Sequence, residues 1–326
     1  MEIGYALSCE EHSPLALVDQ AKMAERAGIE SLWISDHFHP WLDEQGQSPF
    51  VWSIIGAIAS ATENLLVTTA VTCPTMRIHP AIIAQATATS AMLLDGRFEF
   101  GVGTGEALNE HVLADRWPTT AERLAMLAEA IELIRELWKG EETSHDGAYY
   151  AVENARIYSI PAEPPKILMS GFGPKSTELA ARIADGYVTT MPNKELVDTY
   201  RGAGGVGKAD GALKVCWGAD ERECVELAHR LWRTAGVPGE LSQELRTPAL
   251  FDQAASLVSV DSMADYMPCG PDVGTIVEAA KEYVDAGFDR LYITQVGPQQ
   301  AEFFNFFQKD LAPALAEVGI TPGRRD

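Results

Sequence analysis

The densest chemistry in the chain lies in SDHFHPW (35–41), where Asp36, His37, His39 and Trp41 share one short stretch. Imidazole titrates near neutral pH, so His37 is a candidate general base, and a nearby carboxylate such as Glu10 would orient it. His39 precedes Pro40 and reads as structural. A His-x-His pair beside Asp36 also raises a metal-dependent hydrolase. That chemistry needs further ligands late in the chain, where Thr189, Thr190 and Gln295 stand instead, and no metal is expected. GVGTGEALNE (101–110) sets Glu106 in a glycine-rich turn, with Asn109 just behind it. Glycines there let the backbone approach a flat ligand closely, and a carboxylate is also favoured at a helix N-terminus. In SGFGPK (170–175), Ser170, Gly171, Phe172 and Gly173 open a helix whose free amides suit a phosphate.

These groups need elements that bring them together. Short apolar runs predict strands at 3–7, 31–35, 65–69, 98–102, 165–169, 187–190, 213–217 and 291–294. Helical periodicity predicts helices at 14–28, 50–62, 80–94, 119–138 and 300–318. Alternating units of this kind imply a parallel sheet, and eight imply an α/β fold of the (β/α)8 TIM-barrel class. Barrel enzymes place their chemistry just beyond the C-terminal ends of the strands. That rule gathers Ser8, Cys9, Glu10 and Glu11 after the first strand, and Asp36, His37, His39 and Trp41 after the second. Thr72 and Cys73 follow the third strand, and Thr104, Glu106 and Asn109 the fourth. A doubly wound sheet is set aside, because its glycine fingerprint belongs after the first strand and here follows the fourth. One domain spanning 1–326 is expected, with insertions at the C-terminal face. The first, at 140–158, reads as a small hairpin capping the barrel; the second, at 237–270, falls between the seventh and eighth units. The glycine-rich stretch 201–212 reads as a flexible loop.

Composition narrows the partners. With 25 Lys and Arg against 47 Asp and Glu, the net charge is −22, which argues against nucleic acid and anionic membrane surfaces. A small-molecule substrate remains. The five cysteines are scattered and form no CxxC pair, which fits a reducing cytoplasm. The N-terminus lacks a basic stretch followed by an apolar one, so no signal peptide is expected.

SDHFHPW (35–41), CPTMRIHPAIIAQ (73–85) and GVGTGEALNE (101–110) resemble the luciferase-like superfamily of barrel flavoenzymes. More narrowly they resemble its coenzyme F420-dependent dehydrogenases, and GFGP (171–174), Asp185-Gly186 and DLAP (310–313) continue the likeness over most of the chain. The resemblance implies F420 as cofactor, a 5-deazaflavin that carries hydride at C5 and does not activate oxygen. It implies His37 as base, Glu10 holding His37 by a hydrogen bond, Trp41 as a shield and Glu106 as an acid near the pyrimidine edge. It assigns Asp36 and Cys73 to the ring, a cis peptide to Ala70-Val71, and Asn109 with Ser170, Gly171, Phe172 and Gly173 to the ring edge and phosphate tail. A homodimer is implied as well. The substrate would be an alcohol, a sugar or a sugar phosphate; an FMN-dependent monooxygenase on the same barrel is the alternative. In the glucose-6-phosphate group, basic residues from the sixth-strand loop and the late insertion hold the phosphate. Lys194 matches the first, but Phe251-Asp252-Gln253 stand where a lysine is expected, leaving Arg246 and Lys281 as the nearest basic residues. Lys194 and Arg246 are the candidate substrate contacts, and losing phosphate-binding charge disfavours glucose 6-phosphate.

Overall fold

The computed structural model describes residues 1–323; the end of the expected domain, 324–326, lies outside the described residues. Strand β1 (Glu2–Leu7) shows how the core is divided. Ile3, Tyr5 and Leu7 pack outward into the main cluster with Leu17, Ala21 and Ala24 of helix α1 (Pro14–Arg26). Ala6 packs with Trp33, Leu168, Val188 and Tyr292 in a second cluster inside the barrel. Gly4 has no room for a side chain, since a Cβ there would lie 2.5 Å from the Tyr292 ring. That ring stacks on Trp33 with centroids 4.4 Å apart, which fills the lumen.

Strands β2 (Ser31–Ile34), β3 (Leu66–Thr69) and β4 (Phe98–Val102) alternate with helices α2 (Val51–Ala61) and α3 (Pro80–Leu93). The short helix α4 (Ala107–Glu110) and helix α5 (Thr120–Leu137) follow β4. Thr119 caps α5 through a capping box with Glu122. Strands β5 (Thr143–Asp146) and β6 (Ala151–Ala155) form the expected antiparallel hairpin. It leans on α5, where the Glu129 carboxylate accepts the amides of Ala148, Tyr149 and Tyr150, so it flanks the barrel and does not span the mouth. Only its tip rises to the C-terminal face, where the Tyr150 hydroxyl donates to the Thr75 carbonyl at 3.0 Å.

Strand β7 (Lys166–Ser170), helix α6 (Pro174–Ile183), strand β8 (Gly186–Thr189), helix α7 (Lys194–Gly202) and strand β9 (Ala209–Val215) continue the repeat. Strand β10 (Arg290–Gln295) pairs parallel with both β9 and β1, closing eight parallel strands into a barrel. The loop expected at 201–212 is a correction: β9 already begins at Ala209, and Arg201 lies in α7. Small residues allow this, since Gly211 is pressed against Tyr283 and a Cβ would lie 2.5 Å from its ring. The remaining turn is pinned by Arg201, which donates to the Gly205 carbonyl and the Asp289 carboxylate. The last helix is also divided, into α12 (Gln300–Phe306), a π turn at Phe307–Leu311 and α13 (Ala312–Glu317).

The late excursion is longer than 237–270. It leaves after β9 and contains α8 (Glu221–Trp232), α9 (Leu241–Glu244) and α10 (Pro248–Ala255) before α11 (Val273–Ala286) resumes the barrel. Its two ends meet in a parallel bridge between Cys216 and Cys269. The excursion roofs the C-terminal face and is fastened at several points. Gln45 donates to the Leu231 carbonyl, the Trp232 indole to Glu11, and Arg123 to Gln243. No described helix is long and apolar enough to cross a membrane.

Candidate active site

His37 stands on the loop after β2 between two carboxylates from neighbouring strand ends. Its Nδ1 is 3.5 Å from Glu10 Oε1 and its Nε2 is 3.6 Å from Glu106 Oε2. The first distance is long for a hydrogen bond, and His37 Nδ1 has no hydrogen-bond partner. The hydrogen bond expected from Glu10 is therefore not formed at this separation, although the two groups face each other. Glu10 is itself fixed, because its Oε2 accepts the hydroxyls of Ser8 at 2.8 Å and Ser35 at 3.0 Å. The His37 carbonyl accepts the Ser48 hydroxyl, which holds the loop from behind.

Trp41 lies against His37 with ring centroids 5.1 Å apart, and edge-on to Phe251 of α10 at 5.0 Å. It thus links the histidine to the roof. Glu106 keeps 29% of its side-chain surface exposed, yet it sits deep in the mouth. Burial raises its carboxyl above the ordinary range, with His37 opposing and Glu10 reinforcing the shift. Asn109 braces both loops: its Oδ1 accepts the amides of Phe38 and His39, and its Nδ2 donates to Glu106. His39 Nδ1 lies 2.9 Å from the Leu108 carbonyl and its ring stacks on His111, so it faces away from His37.

Asp36 is buried, and each of its oxygens accepts one hydrogen bond. Its Oδ2 accepts Thr72 Oγ1 and its Oδ1 accepts Arg77 Nη2 at 2.9 Å. Arg77 also lies 3.7 Å from Glu110, whose carboxyl burial pushes up to about 7 against the pull of that guanidinium. Ala70 and Val71 are joined by a cis peptide bond, as expected. Both pack on the lumen cluster with Ala6 and Ala212, giving the mouth a floor of small apolar side chains. Cys73 is buried, with its thiol 3.0 Å from Thr75 Oγ1. The glycines above the floor are obligatory: a Cβ at Gly103 would lie 2.7 Å from Val71, and one at Gly105 2.6 Å from Cys73 Sγ.

Ser170 ends β7, and Gly171 is anchored by its carbonyl, which accepts the Tyr187 hydroxyl. Phe172 is half-exposed, and Gly173 caps α6 with nothing within 4 Å of where a Cβ would be. An apolar floor, a polar rim and this open backbone turn together fit a flat ring with an anionic tail. Lys194 starts α7, but its ammonium is bound by Asp198 at 2.8 and 2.9 Å. Arg246 is exposed on the roof between α9 and α10. Arg233 is the buried cation of the roof, and Glu44 and Asp252 occupy it at 2.9 and 2.7 Å.

Two groups escaped the sequence reading. Glu11 follows β1 with no motif around it, yet it accepts the Trp232 indole and the Gly297 amide. Lys214 belongs to no local motif, yet its position in β9 puts its ammonium 4.3 Å from the Trp232 ring centroid. The signal was the alternation of side chains along β9, which turns every second residue into the lumen.

A family model described as luciferase-like monooxygenase matches residues 1–290. The chain belongs to the luciferase-like family. Among curated members of that family, the F420-dependent glucose-6-phosphate dehydrogenase of Nocardia farcinica (strain IFM 10152) is 34% identical over 330 residues, covering 97% of this chain and 98% of that protein. The enzyme of the same name from Nakamurella multipartita is 35% identical over 328 residues, covering 97% and 96%. Among solved luciferase-like structures, an F420-dependent secondary alcohol dehydrogenase in complex with an F420-acetone adduct superposes with a TM-score of 0.88. It is 29% identical and matches 96% of this chain and 98% of its own.

Proposed function

We propose that this chain is an F420-dependent dehydrogenase acting on the carbinol carbon of an alcohol, a sugar or a sugar phosphate. The observation that carries the reading is His37 held between Glu10 and Glu106 at the mouth of a luciferase-like barrel. F420, when bound, supplies a hydride acceptor. Asp36, Ala70, Val71, Cys73, Asn109 and the Ser170, Gly171, Phe172 and Gly173 turn hold it on the apolar floor. Glu10 faces Nδ1, so the neutral ring keeps its proton there and presents Nε2 as the base for the substrate hydroxyl. The imidazolium that forms is stabilised by the buried Glu10 carboxylate. Trp41 covers the histidine and excludes water. Glu106, with its raised carboxyl, holds a proton at neutral pH more readily than an ordinary glutamate and serves as the acid of the site.

Arg233, held by Glu44 and Asp252 in the roof, is not free for a phosphate, which disfavours glucose 6-phosphate as the substrate, while Lys194, in an exposed pair with Asp198, stays a candidate substrate contact. Arg246, exposed on the roof, is the outer substrate contact of this reading. The reading includes one barrel domain over 1–326 and a cytoplasmic homodimer, supported by the free cysteines and the family likeness. Purified protein titrated with F420 and with FMN, then assayed for F420 reduction across sugars, sugar phosphates and secondary alcohols, tests it. F420 binding and alcohol-dependent reduction are expected. Tight FMN binding with oxygen uptake and no F420 reduction overturns it in favour of a monooxygenase.

A further inference from the structure

Strand β9 turns Asp210, Ala212 and Lys214 into the lumen. Asp210 bonds Arg290 there, and Ala212 joins the lumen cluster, while Leu213 and Val215 pack into the outer core. Lys214 is the last inward position, so its ammonium enters the mouth. Its charged neighbours are Glu10, Glu11 and Glu106, and two of these are the carboxylates that bracket His37. Trp232 fixes the ammonium from above, with its ring 4.3 Å away and its indole nitrogen bonded to Glu11. Yet among the described residues no hydrogen bond or ion pair joins this ammonium to an acceptor. The side chain is half-buried and its Nζ is not a buried orphan, so its three donors open onto the mouth, where a bound substrate can take the place of water.

The neighbourhood also selects what can satisfy it. A phosphate or carboxylate drawn to Lys214 would face the Glu10 carboxylate, with the carboxyl groups of Glu11 and Glu106 beside it. A hydroxyl suits both sides, because its oxygen accepts from the ammonium while its O–H donates to a glutamate. We propose that Lys214 is a substrate-binding residue that takes a second hydroxyl of an uncharged polyhydroxy substrate, next to the carbinol presented to His37. This rests on the dehydrogenase reading above and names the substrate class of that site. The buried cation of the roof agrees, since Arg233 is taken by Glu44 and Asp252.

The test compares 2,3-butanediol with 2-butanol, and D-glucose with glucose 6-phosphate, as reductants of F420 by the wild-type holoenzyme, Lys214→Met and Lys214→Arg. The wild type is expected to favour the diol and the free sugar. In Lys214→Met, the ratio of kcat/KM for diol over alcohol should fall about 10- to 100-fold through KM, as for a lost hydrogen bond to a charged group. Lys214→Arg should recover part of it. F420 binding followed by fluorescence reports that each variant is folded, and Lys214→Gln replaces the Met variant if that one is not. Equal losses on both substrates, a diol preference that survives in the variants, or a wild-type preference for glucose 6-phosphate overturns the proposal alone. No F420 reduction with any alcohol overturns the dehydrogenase reading and this inference with it.

Discussion

Asn109 reaches Glu106 with its Nδ2 at 3.3 Å, using the same carboxamide whose oxygen holds the amides of Phe38 and His39 at 2.9 and 3.2 Å. The loops after β2 and β4 are therefore cross-braced by one side chain, and the proposed base, His37, and the proposed acid, Glu106, share a mount. Truncation by Asn109→Ala removes all three bonds and leaves two backbone amides without their acceptor. The expected cost is about 1–3 kcal/mol of stability. The histidine loop should loosen, so kcat should fall more than F420 affinity does. Chemical denaturation and single-turnover F420 reduction check both parts; an unchanged kcat contradicts the brace.

His37 itself gives the sharpest kinetic contrast. His37→Ala should lower alcohol-dependent F420 reduction by about 10²- to 10⁴-fold, the usual range for a positioned base. F420 affinity should change little, because Asp36 and the Gly171 turn do not depend on the imidazole. Fluorescence titration and turnover measured on one preparation separate the two effects. Lost affinity with retained turnover contradicts the assignment.

Glu11 predicts a pH dependence of stability. Burial pushes its carboxyl up to about 7, while the bonds from Gly297 and Trp232 pull the other way. Between about pH 4.5 and 7 the folded chain keeps a proton that the unfolded chain has released. Stability from this group therefore declines as pH rises through that window and levels off above it. Glu110, also raised to about 7, acts with the same sign. Glu11→Gln should flatten the fall in melting temperature between pH 5 and 8; parallel curves for the variant and wild type count against it.

Gly105 holds a φ of +76°, and a Cβ there would lie 2.6 Å from Cys73 Sγ and 2.9 Å from Glu110. Gly105→Ala meets both a disfavoured backbone and a collision. A loss of about 1–3 kcal/mol is expected, and the displaced turn should carry Glu106 with it. Calorimetry and F420 titration report the two consequences. A variant as stable as wild type would show that the turn can relax.

Much of this architecture could be read from residue order. Apolar runs bounded by Gly, Pro and caps located all eight barrel strands, and the strand-end rule gathered His37, Glu10, Glu106 and Asn109 into one mouth. The failures share a cause. In β9, Gly211 looks like loop material, but its missing side chain is what admits Tyr283. Lys214 looks like a solvated charge until closure of the barrel turns it inward. Asp36 and Asn109 are spent partly on Arg77 and on the histidine loop, contacts made by residues distant in sequence. Local pattern fixes which residues end a strand. It does not fix which of them find partners across the mouth.

The bridge at Cys216 and Cys269 joins the two feet of the roof, through bonds from Cys216 N to the Pro268 carbonyl and from Gly270 N to the Cys216 carbonyl. A segment whose feet already touch can grow or shrink with only a slow entropic cost. The barrel below keeps its register whatever the roof contains. The roof can thus diverge separately from the barrel strands that carry Glu10, His37, Glu106 and Lys214, and a roof exchanged between the positions of Cys216 and Cys269 should leave the proposed base and the Lys214 contact in place.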